Sequence, residues 1–132
     1  MISHIFVGIH DFPPALNFYA EVMSELGCVM KFSDANKPWA GWMSAQASRP
    51  LFIIGKPYDG QPAVAGNGQM IALLAPSRVA VDRAYAAAMS RGGTCEGAPG
   101  LRPHYHPNYY GAYFRDTDGN KLCVCCHDAQ LE

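Results

Sequence analysis

Residues 2–10 alternate in character, with Ile2, His4, Phe6 and Gly8 on one side and Ser3, Ile5, Val7 and Ile9 on the other. A period of two predicts a strand with two usable faces. From residue 13 to 26 the apolar positions are Leu16, Tyr19, Ala20, Met23 and Leu26, the spacing of a helix with one buried stripe. Gly27 follows, and can take the left-handed conformation that ends such a helix. Short apolar stretches at 28–32, 39–45 and 51–55 are separated by Asp34-Ala35-Asn36 and Ser48-Arg49-Pro50, which are turn-forming compositions. The first half therefore reads βαβββ.

The Gly- and Pro-rich segment 56–68 breaks the periodicity, which restarts at 69–75. Ser77 has the position of a helix N-cap, and Val81, Tyr85, Ala88 and Met89 predict a second helix after it. Apolar runs at 109–115 and 121–127 flank Asp116-Thr117-Asp118-Gly119-Asn120, where Asp-Gly in a polar turn predicts a hairpin. Sliding the sequence by 66 positions pairs Ile5 with Ile71, Tyr19 with Tyr85, Ala20 with Ala86, Met23 with Met89, Ser24 with Ser90 and Gly27 with Gly93. A duplicated module explains these matches. The expected architecture is α+β: two βαβββ modules forming a cupped mixed sheet with helices on the outer face. The boundaries are module 1 at about 1–58, a linker at about 59–66 and module 2 at about 67–132.

The chain has 132 residues, 49% of them hydrophobic, enough for one domain with a real core and too few for two. A formal net charge of -1 with 16% charged residues offers no basic stripe, which excludes nucleic acid as an expected partner. No apolar run approaches the roughly 20 residues of a membrane helix, and no signal-peptide pattern stands at the start, so no membrane partner and a cytoplasmic location are expected. Five cysteines, three of them crowded at Cys123, Cys125 and Cys126, make a poor disulfide framework and are read as reduced thiols. Low charge also leaves association into a homodimer unopposed.

Cys123-Val124-Cys125-Cys126-His127 satisfies the C-x-x-C-H pattern of haem attachment, but alternation puts Cys123 and Cys126 on opposite faces of a strand. Asp116-Thr117-Asp118 resembles the start of a calcium loop, but Gly119 comes too early and His127 stands where a bidentate Glu is required. Cys123 and Cys125 share a strand face and with His4 form either a soft zinc site or buried small filling. Residues 102–110 concentrate Arg102, His104, Tyr105, His106, Tyr109 and Tyr110 between prolines. This is either a lid that orients a polar aromatic ligand or a rigid loop packed on the sheet. Trp39 and Trp42, three apart in a strand, should face opposite ways, one to the cup and one to the helices.

Ser3-His4-Ile5 leading to Asp11, the Ala15-Leu16-Asn17-Phe18-Tyr19 helix, Gly66-Asn67-Gly68, Ala75-Pro76-Ser77 and Asp116-Thr117-Asp118-Gly119-Asn120, in this order, resemble the vicinal oxygen chelate superfamily. That superfamily includes glyoxalase I, bleomycin resistance proteins and extradiol dioxygenases. The resemblance covers nearly the whole chain and implies a homodimer with a cupped site, in which the enzymes chelate a divalent metal. It implies four ligand positions, of which His4 matches the first. Met70 stands at the fifth-strand position, Cys123 replaces the expected Glu of the last strand, and the 66-residue offset puts Pro57 at the fourth-strand position, with Asp59 the nearest carboxylate. A thioether is a poor ligand for the hard or borderline cations of such sites.

Two readings follow. One is a glyoxalase/bleomycin resistance-like small-molecule-binding protein with an incomplete metal site, in which no cofactor is expected and a divalent metal is doubtful. The other is a divergent metal-dependent glyoxalase-like lyase or isomerase, or a dioxygenase-related enzyme, and the choice between enzyme and binder stays open. A third, a structural module, predicts a cup filled by the protein's own side chains. His4 and His106 are the catalytic candidates, and His4 is the one metal-ligand candidate. Phe6, Trp42, Met70, Arg102, His104, Tyr105, Tyr110 and Cys123 are the candidates for ligand contact.

Overall fold

A computed structural model describes residues 1–130 of the chain. The first module runs β1 (His4–Gly8), α1 (Phe12–Glu25), β2 (Cys28–Asp34), β3 (Trp39–Ser44) and β4 (Leu51–Gly55). The second runs β5 (Ile71–Leu74), α2 (Arg78–Ser90), β6 (Thr94–Leu101), β7 (Tyr110–Arg115) and β8 (Lys121–Cys126). Each module forms its own four-stranded sheet, in the orders β1-β4-β3-β2 and β5-β8-β7-β6. In both, the first strand pairs parallel with the last and the other pairings are antiparallel. The duplication expected from the 66-residue offset is thus repeated in the topology.

The helices cover one face of the sheets. Ala15, Phe18, Tyr19, Val22 and Met23 form the buried stripe of α1, and Ala80, Val81, Ala84 and Ala88 that of α2. Pro13 and Pro14 fall in the first turn of α1, where a missing N–H costs nothing and the fixed φ suits a helix. α2 starts instead on a side-chain cap, the Ala80 N–H donating to Ser77 Oγ at 3.0 Å. The core runs across both modules without a break, with Phe18 edge-on to Phe114 at 6.0 Å and Tyr19 against Phe52 at 5.2 Å. Each such fully buried side chain contributes about 1.5–3 kcal/mol by leaving water.

One polar bridge crosses this core. Tyr19 Oη, on α1, donates to Asp116 Oδ2 at 2.6 Å in the turn between β7 and β8. Asp116 also accepts from the N–H groups of Asp118 and Asn120 and from Asn120 Nδ2. Asn120 Nδ2 reaches Gly8 O as well, at 3.0 Å, so this turn ties β8 to the end of β1. The predicted hairpin is present, with Gly119 at φ 88°.

Two expectations need correction, and one element carried no local signal. β6 was not legible as a strand, because Gly97, Pro99 and Gly100 erase the alternation. It is tolerated at the sheet edge, where one side needs no ladder bonds, and its pairing with β7 slips twice. Gly93 is not the helix-ending counterpart of Gly27. Gly27 takes φ 75° and Gly92 takes φ 93°, so α2 ends one residue earlier than the offset implies. Gly93 is needed for a different reason, since a Cβ there would stand 2.7 Å from Ala88 O. Finally, β5 begins at Ile71, leaving Gln69 and Met70 in the connection before it.

Candidate functional site

Strand alternation leaves each sheet one face that no helix covers. On the first sheet, Ile5, Val7, Ala40, Trp42, Phe52 and Ile54 point to the helices and belong to or pack on the core. His4, Phe6, Trp39 and Ile53 take the opposite, open face. Gly41 and Gly55 make room there for aromatic rings. A Cβ on Gly41 would stand 2.5 Å from the Phe32 ring, and one on Gly55 would stand 3.0 Å from Phe6. Phe32 and Trp39 lie 4.6 Å apart in tilted contact, with Lys37 Nζ 4.0 Å over the indole.

The open face of the second sheet carries phenols, thiols and imidazoles. Cys123 pairs with Tyr113 across the β7–β8 ladder, and Cys125 with Gly111. Tyr109 Oη lies 3.0 Å from Tyr113 Oη and 3.5 Å from Cys123 Sγ. Burial pushes the Tyr109 phenol far above its ordinary range, and the bond to Cys123 adds to this. Burial also raises the Tyr113 phenol. Arg102 donates to Ala98 O at 2.8 Å and sits 5.5 Å over the Tyr113 ring, with Lys121 Nζ 6.0 Å from the same ring. Two cations thus frame an aromatic surface, an arrangement suited to a polar or anionic aromatic molecule.

His127 follows β8 on the same alternation and faces Cys125, its Nε2 3.6 Å from Sγ. Its other nitrogen lies 2.8 Å from His106 Nε2, and His106 Nδ1 accepts from the Asn108 N–H at 3.1 Å. The two thiols act as a coupled pair. The neighbouring Cys123 thiol, then Tyr109 and His127, hold Cys125 down to about 6 against the opposing effect of burial. Cys123 is pushed up by its bond to Cys125 and by burial.

Among the described residues, two cavities lie between the modules. One of about 480 Å³ is lined by Phe6, Gly8, Val64, Met70, Lys121 and others where β1 approaches β5. The other, of about 680 Å³, lies at the C-terminal end of α1 and is mostly apolar, with Ile5, Met23, Trp42, Leu73 and Leu74 in its wall and His127 and Asp128 at its edge.

The predicted site residues do not all converge. His4 and Phe6 are on the first open face, with Ser3 Oγ 3.0 Å from His4 Nδ1. Met70 shares the smaller cavity with Phe6. Arg102, Tyr105, His106 and Cys123 gather on the second open face, where Tyr105 packs on Tyr109 at 4.9 Å and His104 on Tyr105 at 4.3 Å. Trp42 lies on the helix side, 2% exposed against Tyr19, so it does not line the open face and only borders the larger cavity. Trp39 takes the open-face position. Tyr110 also turns away, packing on the core and donating from Oη to Asp82 on α2 at 2.6 Å. Tyr113 and His127 were missing from the candidates, although counting by two from Cys123 puts Cys125 and His127 on one face.

Strand register also relocates one implied metal position. Cys123 pairs with Ala72 on β5, and the equivalent residue of β1, Phe6, pairs with Ile53 on β4. Ile53, not Pro57, is therefore the fourth-strand counterpart of Cys123; Pro57 lies beyond the end of β4, and Asp59 is spent on the N–H of Gln61 at 3.0 Å. The four implied positions carry His4, Ile53, Met70 and Cys123: an imidazole, a hydrocarbon, a thioether and a raised thiol. This donor set does not fit a hard or borderline divalent cation.

Residues 1–124 match the family model described as the Glyoxalase/Bleomycin resistance protein/Dioxygenase superfamily. A glyoxalase/bleomycin resistance protein from Albidiferax ferrireducens T118 is 36% identical, with 97% of this chain and 99% of that one covered and a TM-score of 0.82. A family enzyme from Burkholderia phytofirmans PsJN is 17% identical over 96% of this chain and 98% of that one, with a TM-score of 0.70. Lactoylglutathione lyase from Agrobacterium tumefaciens is 19% identical over 96% and 92%, with a TM-score of 0.62. At those last two identities the likeness is one of fold. Comparison with curated proteins gave no match.

Proposed function

The chain belongs to the glyoxalase/bleomycin resistance protein/dioxygenase superfamily, and from that premise we propose that it binds a small aromatic or conjugated molecule without a bound divalent metal. The observation that carries this reading is the replacement of ligand chemistry by packing chemistry. Ile53 and Met70 stand where a metal would need donors, while Phe6, Phe32, Trp39, Tyr109 and Tyr113 present rings on the open faces. Offset or edge contacts with such rings stabilise a flat ligand by about 0.5–1.5 kcal/mol each beyond burial. Arg102 and Lys121 beside Tyr113 favour a ligand with an anionic or polar edge. His4 and His106 then serve as polar contacts. Lewis-acid lyase or isomerase chemistry would need an ion held with open positions by more than one good ligand.

The protein is also proposed to be a homodimer. Phe6, Met70, Leu74 and Leu101 are large apolar side chains left about half or more exposed, and a second copy would remove them from water. Sedimentation equilibrium across a concentration series tests this, and a monomer throughout would end it.

The functional reading is tested by elemental analysis of untagged protein followed by titration with Mn, Fe(II), Ni and Zn. The expected result is no stoichiometric metal, together with quenching of indole fluorescence by aromatic carboxylates. Tight metal binding that disappears in His4→Ala would overturn the metal-free reading in favour of an enzyme.

A further inference from the structure

We propose that Cys125 is a nucleophilic thiolate, held by a one-way relay of two histidines, that adds to small α,β-unsaturated carbonyl compounds. The geometry begins at a backbone amide. The Asn108 N–H donates to His106 Nδ1 at 3.1 Å, so that nitrogen is an acceptor and the proton of a neutral ring must sit on Nε2. His106 Nε2–H then donates to His127 Nδ1 at 2.8 Å, which in turn places the His127 proton on its Nε2. That last N–H faces Cys125 Sγ at 3.6 Å.

A backbone amide cannot reverse its role, so every tautomer in the chain is set by it. His127 therefore presents an N–H donor that stabilises a sulfur anion. His106 is a positioning residue that acts through His127.

The groups facing Cys125 agree with this role. Cys123 and Tyr109 are the other titratable neighbours, and β5 contributes only Leu74, its ladder partner. Together they hold the Cys125 thiol down to about 6, so that most of it is ionised at neutral pH. Cys125 is 4% exposed, which excludes bulky reagents. Leu74 and His127, the ladder partner and the imidazole neighbour of Cys125, both border the larger cavity, whose apolar wall suits a short conjugated carbon chain.

In the step itself, Sγ forms a bond to the β-carbon and the C=C π pair moves onto the α-carbon and carbonyl oxygen as an enolate. A solvent proton then quenches the α-carbon. No oxidant or metal is consumed. The relay shares Tyr109 and His106 with the second open face, but its readout, adduct formation on Cys125, needs no aromatic ligand, so failure of one proposal is distinguishable from failure of the other.

Acrylamide is the probe, with site-resolved mass spectrometry of the intact folded protein from pH 5 to 9. Cys95, which is exposed, is the internal reference. The expected Cys125 rate rises to a plateau near pH 7 that the exposed Cys95 does not share. At pH 6 the ionised fraction favours Cys125 by roughly 100-fold over an ordinary thiol, less about a tenfold loss of intrinsic nucleophilicity, leaving about a tenfold advantage. His127→Ala should move the plateau up by at least one pH unit, and His106→Ala should move it part of the way. Both side chains are at the surface or half-buried, and circular dichroism checks that each variant keeps its fold. A Cys125 profile that parallels Cys95, absence of adduct on Cys125, or a plateau unmoved in folded His127→Ala would overturn the proposal.

Discussion

Tyr19 illustrates how one atom can join two modules. Its ring is one of the largest fully buried side chains, and its hydroxyl reaches a carboxylate 97 positions away in the chain. Burial, reinforced by Asp116, pushes the phenol well above its ordinary range, so it stays a donor throughout the accessible pH range. Tyr19→Phe keeps the packing and removes this bond, while Asp116 retains its other three donors. The expected loss is about 1.5–3 kcal/mol, the usual worth of a hydrogen bond to a charged group, measured by urea unfolding. A second residue-scale prediction concerns Cys125. Its folded pKa of about 6 lies below the ordinary thiol value, so between roughly pH 6 and 8.5 the folded chain binds fewer protons than the unfolded one. Raising pH through that window therefore favours the fold. The difference in Tm between the unmodified protein and Cys125→Ser should widen across it, and a constant difference would show that the thiolate carries no stability. Above the window the raised Cys123 and Tyr109 groups oppose ionisation and the gain is lost.

The two helices occupy equivalent places but begin by different means. Ser77 caps α2 through its side chain, whereas Asp11 precedes α1 without a side-chain bond to it. Ser77→Ala should cost about 1 kcal/mol, and Asp11→Ala should cost nothing through capping. Equal losses in chemical denaturation would mean that Asp11 acts through a contact other than a cap. At the other end, Gly27 and Gly92 both use positive φ, which the repeat in sequence concealed by pointing to Gly93. A difference of one residue in helix length is enough to move the left-handed position, and periodicity alone rarely resolves a boundary to one residue.

For the whole molecule, the two tryptophans separate stability from binding. Trp42→Ala opens a cavity in the shared core and should cost about 3–5 kcal/mol in thermal or urea unfolding. Trp39 is on the open face against Phe32, and Trp39→Ala should leave the unfolding midpoint within about 1 kcal/mol of the parent while weakening aromatic ligands at least severalfold. Isothermal titration with an aromatic carboxylate distinguishes them, and unchanged affinity in Trp39→Ala would remove the first open face from the proposed site.

Alternation and helical spacing are local properties, and they made the order of elements, the duplication, the buried stripes and the opposed tryptophans legible from the chain alone. The vicinal oxygen chelate resemblance came from the same short segments. What failed locally was β6, whose glycines and proline carry no period and whose strand character comes from pairing with β7. The site was legible only in part. His4, Phe6 and Cys123 could be given a face by counting, but whether Trp39 or Trp42 faced the helices depended on which face α1 covered. Ile53 could be matched to Cys123 only through strand register, because loops of different length had shifted the simple offset. The contacts of Tyr19 with Asp116 and of His106 with His127 join distant segments, and no spacing rule encodes them. Sequence thus determined which residues could share a face, since backbone geometry repeats every two or 3.6 residues. Tertiary structure decided which faces met, because that depends on how two modules bury one common core.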